Sequence, residues 1–269
     1  MKTRLLPLLT ALLLMVTATA LADTLRVGME CNYAPYNWTQ AEPGEHAVPL
    51  AAGGYADGYD VQVARYLAEK LGMELEIVKT EWDGLIPALT SGAGKIDSII
   101  AGMSPTQERK LVVDFTEPYY ESDLVVVVRA DGPYAAAKSL ADLSGARITG
   151  QLNTFHYGVI AQIPGVKQEV AMSDFPVMTA ALSGGRIDGY ISERPGALSA
   201  VAANPQLTYV SFEARQGFAA DPADTTIAVA LRKDSPLLAP INAALAELTA
   251  EARVQLMTDA LERQPVAGQ

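Results

Sequence analysis

Apolar and polar positions alternate along Leu25–Met29 and again along Glu74–Val78, the two-residue period of a half-buried strand. Between them the period changes. Val61, Ala64, Leu67, Ala68 and Leu71 recur at three- and four-residue intervals. That spacing predicts an amphipathic helix over Tyr59–Leu71, with Asp60 as N-cap and Gly72 as its stop. A short helix over Trp82–Thr90 and a strand over Ile96–Ala101 follow, and Pro105 opens a further helix at a position where proline is tolerated. Strands alternating with helices in this way predict an α/β fold with a largely parallel sheet.

The alternation resumes after residue 123. DLVVVVR (123–129) is strand-like, and strands are expected at Arg147–Thr149 and Asp188–Ser192, with helices from Thr154 and over Asp174–Ser183. TTIAVALRKDSP (225–236) reads as a strand and a turn. Pro236–Glu262 reads as one long helical stretch, with Leu237, Ile241, Ala244, Leu245 and Leu248 on one face. There is also an internal echo. ALTSGAGKIDSIIAG (88–102) parallels ALSGGRIDGYIS (181–192): a helix end, glycines, a basic residue, then Ile-Asp and a strand. Two related lobes are therefore expected, residues 23–122 with 221–269 and residues 123–220. Crossings near 121–124 and 215–224 would join them, and paired crossings make a natural hinge.

The N-terminus changes where the fold begins. Lys2 and Arg4 precede the leucine-rich run Leu5–Val16, too short to span a bilayer, and Ala20-Leu21-Ala22 ends it. This is the form of a cleavable signal peptide covering residues 1–22; an uncleaved anchor is the rival reading. The expected localisation is periplasmic. With 269 residues, 49% of them hydrophobic, the chain can build one large core or two modest ones. Its net charge of −11, or −13 without Lys2 and Arg4, argues against nucleic acid as a partner. Cys31, the one cysteine, cannot form an internal disulfide and reads as a small packed residue. His46 and His156 lie far apart, and no metal-ligand spacing occurs, so neither metal nor cofactor is expected.

The candidate chemistry collects at strand ends. In AGMSPTQER (101–109), an apolar run reaches Gly102, followed by Ser104, Thr106 and Arg109. Backbone N–H groups, hydroxyls and a guanidinium fork all favour an anion. The same residues suit a plain helix cap with Arg109 paired to Glu108 or Asp114, and local sequence does not choose. GQLNTFHY (150–157) repeats the pattern with Asn153 and Thr154, which also suit ordinary capping. Glu30 and Glu193 each follow a strand, where ligands of open α/β sheets bind and where solvated loop acids also occur. Tyr33, Tyr36, Trp38 and Trp82 accompany these ends, either as packing or as the walls of a polar cleft.

Several runs resemble one family. They are VGMECNYAPYNW (27–38), GYADGYDVQVARYLAEKLG (54–72), WDGLIPAL (82–89), KIDSIIAGMSPTQERK (95–110), DFTEPYY (114–120) and IDGYISERP (187–195). Together they are similar to the polar amino-acid-binding proteins of ABC importers, nearest to the lysine/arginine/ornithine type. The resemblance implies a two-lobed periplasmic binding protein fold with two crossing segments. It implies a monomer that closes around a free amino acid and delivers it to a membrane permease. By position, Arg109 matches the arginine that grips the ligand α-carboxylate, with Ser104 and the backbone of Gly102 beside it. Thr154 matches a threonine on the same carboxylate, with Asn153 next to it in place of a usual small residue. Glu193 falls where an acid receives the α-ammonium, Tyr33 and Trp82 match aromatic walls, and Glu30 falls where cation-selective members carry an acid. Residues 39–56 make a longer loop than usual, placed to cover the cleft mouth.

Charge counting then narrows the ligand. A zwitterion matches Arg109 and Glu193 and leaves Glu30 over, and an unpaired buried carboxylate is costly. A ligand with a second positive charge removes that cost, which points to arginine, lysine, ornithine or histidine. If Glu30 has a protein partner, a neutral polar ligand such as glutamine fits better. The same fold also hosts cyclohexadienyl or arogenate dehydratase activity, for which His156 or Glu193 would be the candidate acid. A binding protein rather than an enzyme is the expectation.

Overall fold

The computed structural model describes residues 23–265, so the proposed signal peptide lies outside the described residues. Two five-stranded sheets form the centres of two lobes. The first runs Glu74–Lys79, Thr24–Met29, Ser98–Ile99, Ala230–Arg232, Val113–Phe115. The second runs Lys167–Gln168, Arg147–Thr149, Gly189–Glu193, Leu124–Arg129, Leu207–Val210. Each begins with two parallel pairings and ends with two antiparallel ones. The sheets are thus mixed, not largely parallel. In each, the returning strand enters from the other lobe and runs against its neighbours.

The internal echo has a structural cause. In both lobes the repeated segment carries a helix, Trp82–Thr90 or Phe175–Ser183, into the middle strand of the sheet. The repeated aspartate then pins that strand to its parallel neighbour. Asp97 accepts from the Arg26 N–H at 3.0 Å while its own N–H donates to the Arg26 carbonyl. Asp188 does the same with Arg147, at 2.9 Å. Between the lobes Tyr120–Glu121 pairs antiparallel with Thr226–Ile227, which sets two crossing strands side by side. Among the described residues, no helix is long and apolar enough to cross a membrane.

Several elements differ from the pattern-based expectations. The helix Tyr59–Leu71 buries Val61, Ala64, Leu67 and Ala68 and ends at Gly72 in the left-handed conformation, as the spacing predicts. Its N-cap, however, is Gly58. Asp60 is fully buried, accepting from Asn37 Nδ2 at 2.8 Å and Tyr119 Oη at 2.7 Å. Burial pushes its carboxyl up to about 6. The strand expected at 96–101 pairs only over Ser98–Ile99. The helix opened at Pro105 is a single turn, Gln107–Lys110, capped by Thr106, whose hydroxyl accepts the Arg109 N–H. The long terminal helix is two, Leu238–Glu247 and Ala250–Arg263, because Leu248 turns extended and Thr249 caps the second. Residues 39–56 do not cover the cleft. Asn37–Gln40, Val48–Pro49 and Tyr55–Asp57 pair with Asn32–Tyr33 into a small sheet. Hydrogen bonds from Gln62, Arg65 and Lys79 tie it to the first lobe. Cys31 is buried with its thiol pushed up to about 12 by desolvation, a packed residue rather than a nucleophile.

Candidate functional site

The strand ends of the two sheets face each other, and side chains from both close a cavity of about 10 Å³. It is lined by Tyr33, Trp82, Gly102, Ser104, Arg109, Gln151, Thr154, Phe155 and His156. That is room for about one water molecule, so an amino acid enters only if the lobes separate. A groove of about 780 Å³ lies outside it and shares Arg109, Thr154 and Phe155. The sequence therefore brought six of the nine expected residues to one cavity. Glu30, Asn153 and Glu193 do not line it.

Arg109 is half-buried. Desolvation lowers its guanidinium to about 10, so it remains charged at neutral pH. It lies over the Trp82 ring at 5.1 Å and donates to the carbonyls of Ser104 at 3.0 Å and Asn153 at 3.2 Å. It does not pair with Glu108 or Asp114. Stacking and two fixed acceptors hold the fork in one plane, as recognition of a carboxylate requires. Ser104 is buried and its hydroxyl donates to the Asp224 carbonyl at 2.8 Å. The Thr154 hydroxyl likewise serves its own turn, donating to the Gln151 carbonyl at 2.7 Å. Gly102 has φ 63, and a Cβ there would sit 3.2 Å from the Tyr33 ring, so this turn needs glycine. Its N–H is directed at the Asp60 carboxylate.

The two acids stand one layer behind the cavity wall. Glu30, 3% exposed, accepts from the Gln151 amide at 3.0 and 3.3 Å. Desolvation raises its carboxyl to about 7, against the opposing effect of Gln151. Glu193, 2% exposed, accepts from the Tyr33 hydroxyl and lies 2.9 Å from His156 Nε2. Burial alone would raise its carboxyl, but the nearby His156 ring and the hydrogen bonds from His156 and Tyr33 outweigh it, and the net shift is downward. Asn153 sits on the rim at φ 56, donating from Nδ2 to Asp83 at 2.8 Å across the cleft. Tyr33 stacks on Phe175 of the second lobe at 4.0 Å and 3°. Sequence reasoning missed Gln151, Phe155 and His156 as lining residues. All three lie in the run GQLNTFHY already singled out, so the signal was there at segment level only.

Opposed strand ends, a guanidinium on one wall and a buried acid behind the other define a two-lobed binding protein. The chain belongs to the bacterial extracellular solute-binding proteins, family 3, whose family model matches residues 25–259. It is 33% identical over 197 residues to a probable histidine-binding protein of Campylobacter jejuni, covering 72% of this chain and 70% of that one. It is 30% identical over 242 residues to ABC transporter arginine-binding protein 1 of Escherichia coli, covering 88% and 90%. A Streptococcus pneumoniae amino acid ABC transporter substrate-binding protein solved with L-arginine superimposes with a TM-score of 0.77 at 26% identity, covering 91% of this chain and 96% of that one. These proteins are named for binding, not for catalysis.

Proposed function

We propose that this chain is the extracytoplasmic amino-acid-binding component of an ABC importer. It acts as a periplasmic monomer after removal of residues 1–22 and hands its ligand to a membrane permease. The lobes are residues 23–122 with 221–269 and residues 123–220, and they close on a free amino acid. Arg109 takes the α-carboxylate, Glu193 supplies the negative charge for the α-ammonium, and Tyr33, Trp82 and Phe155 enclose the side chain. The observation that carries this reading is the convergence of Arg109 and the Glu193 cluster on one closed cavity, from facing sheets.

A basic ligand, arginine, lysine, ornithine or histidine, is the reading favoured by Glu30, a buried acid with no protein cation bonded to it among the described residues. The names of the similar proteins support it. The Gln151–Glu30 hydrogen bond favours a second reading, a neutral polar ligand such as glutamine, because it already satisfies Glu30 in part. A thermal-shift screen against the common amino acids tests both, since a ligand that binds only the folded state raises its stability. Stabilisation by arginine, lysine, ornithine or histidine alone supports the first reading. Stabilisation by glutamine supports the second. Turnover of prephenate or arogenate would replace binding by dehydratase activity.

A further inference from the structure

The acid assigned to the ligand's ammonium does not line the cavity; His156 does. His156 is 4% exposed, in the first turn of the helix Phe155–Val159, with the Phe155 ring 4.4 Å away. Its two ring nitrogens stand in different situations. Nε2 lies 2.9 Å from Glu193 Oε1. Nδ1 is buried and has no hydrogen-bond partner among the described residues. A neutral imidazole carries one donor and one acceptor nitrogen, and the bond made by one decides the role of the other. A carboxylate only accepts, so Glu193 holds the proton on Nε2. In the neutral form of the ring Nδ1 is then a lone pair without a hydrogen-bond partner among the described residues, in a residue that walls the cavity.

From this arrangement we infer that His156 Nδ1 is the direct acceptor for the ligand's α-ammonium, with Glu193 acting through the ring. The inference rests on the amino-acid reading above. An ammonium has three N–H donors to satisfy once it leaves water. Tyr33 already donates to Glu193 Oε2, and His156 occupies a lone pair on Oε1. The buried dyad keeps the charge of Glu193 close while the neutral form of the ring offers a directional acceptor at Nδ1. It favours ligands with a free α-amine and excludes those in which the nitrogen is acylated. It acts alike on every amino acid, whatever the side chain, whereas Glu30 acts on side-chain charge.

Two substitutions separate this role from that of a mere prop for Glu193. His156→Gln places an amide N–H near Nε2 and removes the acceptor at Nδ1. His156→Asn places an amide oxygen near Nδ1 and removes the donor to Glu193. Titration calorimetry with arginine and thermal melting of both variants and the wild type give the test. Expected are a tenfold or greater loss of affinity in His156→Gln with an unchanged melting temperature, and a lowered melting temperature in His156→Asn with tighter binding than His156→Gln. Wild-type affinity in His156→Gln, or weaker binding by His156→Asn than by His156→Gln, overturns the inference and leaves the amino-acid reading intact. A wild type that binds no amino acid overturns both. Should His156→Gln not fold, nitrogen-15 NMR of the wild type decides: the His156 Nδ1 resonance moves on adding arginine, and an unmoved resonance refutes the contact.

Discussion

Glu30→Gln is the perturbation whose size follows most directly from the geometry. Glu30 is 3% exposed, and its only hydrogen-bond donor among the described residues is the neutral Gln151 amide. Burial raises its carboxyl from 4.5 to about 7. The folded state therefore holds the proton more tightly than the unfolded state does. The stability this contributes is fully present below about 4.5 and is lost as pH rises through about 7. At 1.36 kcal/mol per pH unit, the difference is about 3 kcal/mol between pH 4 and pH 8. The glutamine of the variant is uncharged at every pH and does not incur this loss. The stability of the variant relative to wild type is thus expected to rise by about 3 kcal/mol from pH 4 to pH 8, with most of the change between about 4.5 and 7. For a chain of this size that is about 6–12 °C in melting temperature. Any packing difference between the two side chains appears as a constant offset, not a slope. Asp60 titrates in the same window in both proteins and cancels. Ligand-free thermal melts at half-unit pH steps provide the measurement. A difference that stays flat with pH, or falls as pH rises, would refute the claim that Glu30 is held in a desolvated, cation-free site.

Other expectations follow from the same geometry. In the same Glu30→Gln variant, calorimetry at pH 8 should show arginine weakened by about tenfold or more and glutamine little changed; equal losses for both would remove Glu30 from selectivity. Arg109→Lys keeps the charge but loses the planar fork stacked on Trp82, so affinity for any amino acid should fall about tenfold or more, read by calorimetry. Asn153→Gly suits the left-handed backbone at φ 56 and deletes only the bond to Asp83 across the rim. Stopped-flow dissociation of ligand should speed up about two- to tenfold, and an unchanged rate would remove this bond from the closed state.

How much could be read without coordinates varies by kind of information. Helix Tyr59–Leu71, both lobes and the repeated Ile-Asp were legible because period and spacing are local properties, and Asp97 and Asp188 turned out to do the same job. Element ends were less legible. Thr106 capped the turn that Pro105 was expected to open, and Thr249 divided a helix whose apolar face ran on without a break. At the site, Arg109, Tyr33, Trp82, Gly102, Ser104 and Thr154 line one cavity, an arrangement that local sequence left open beside plain capping and packing.

By itself, then, the sequence determined the alternation of strands and helices, the doubling of the unit and the side chains available at each strand end. Those follow from hydrophobic period and residue type within about a dozen neighbouring positions. Only the tertiary structure decided that Gln151 stands before Glu30 and His156 before Glu193. It also decided that Asp60 turns inward and that the 39–56 segment packs on the first lobe instead of the cleft. Glu30 and Gln151 are 121 residues apart, and their meeting depends on how two lobes close across a hinge. Desolvation, which raises the Glu30 carboxyl, is a property of that closure and not of any segment.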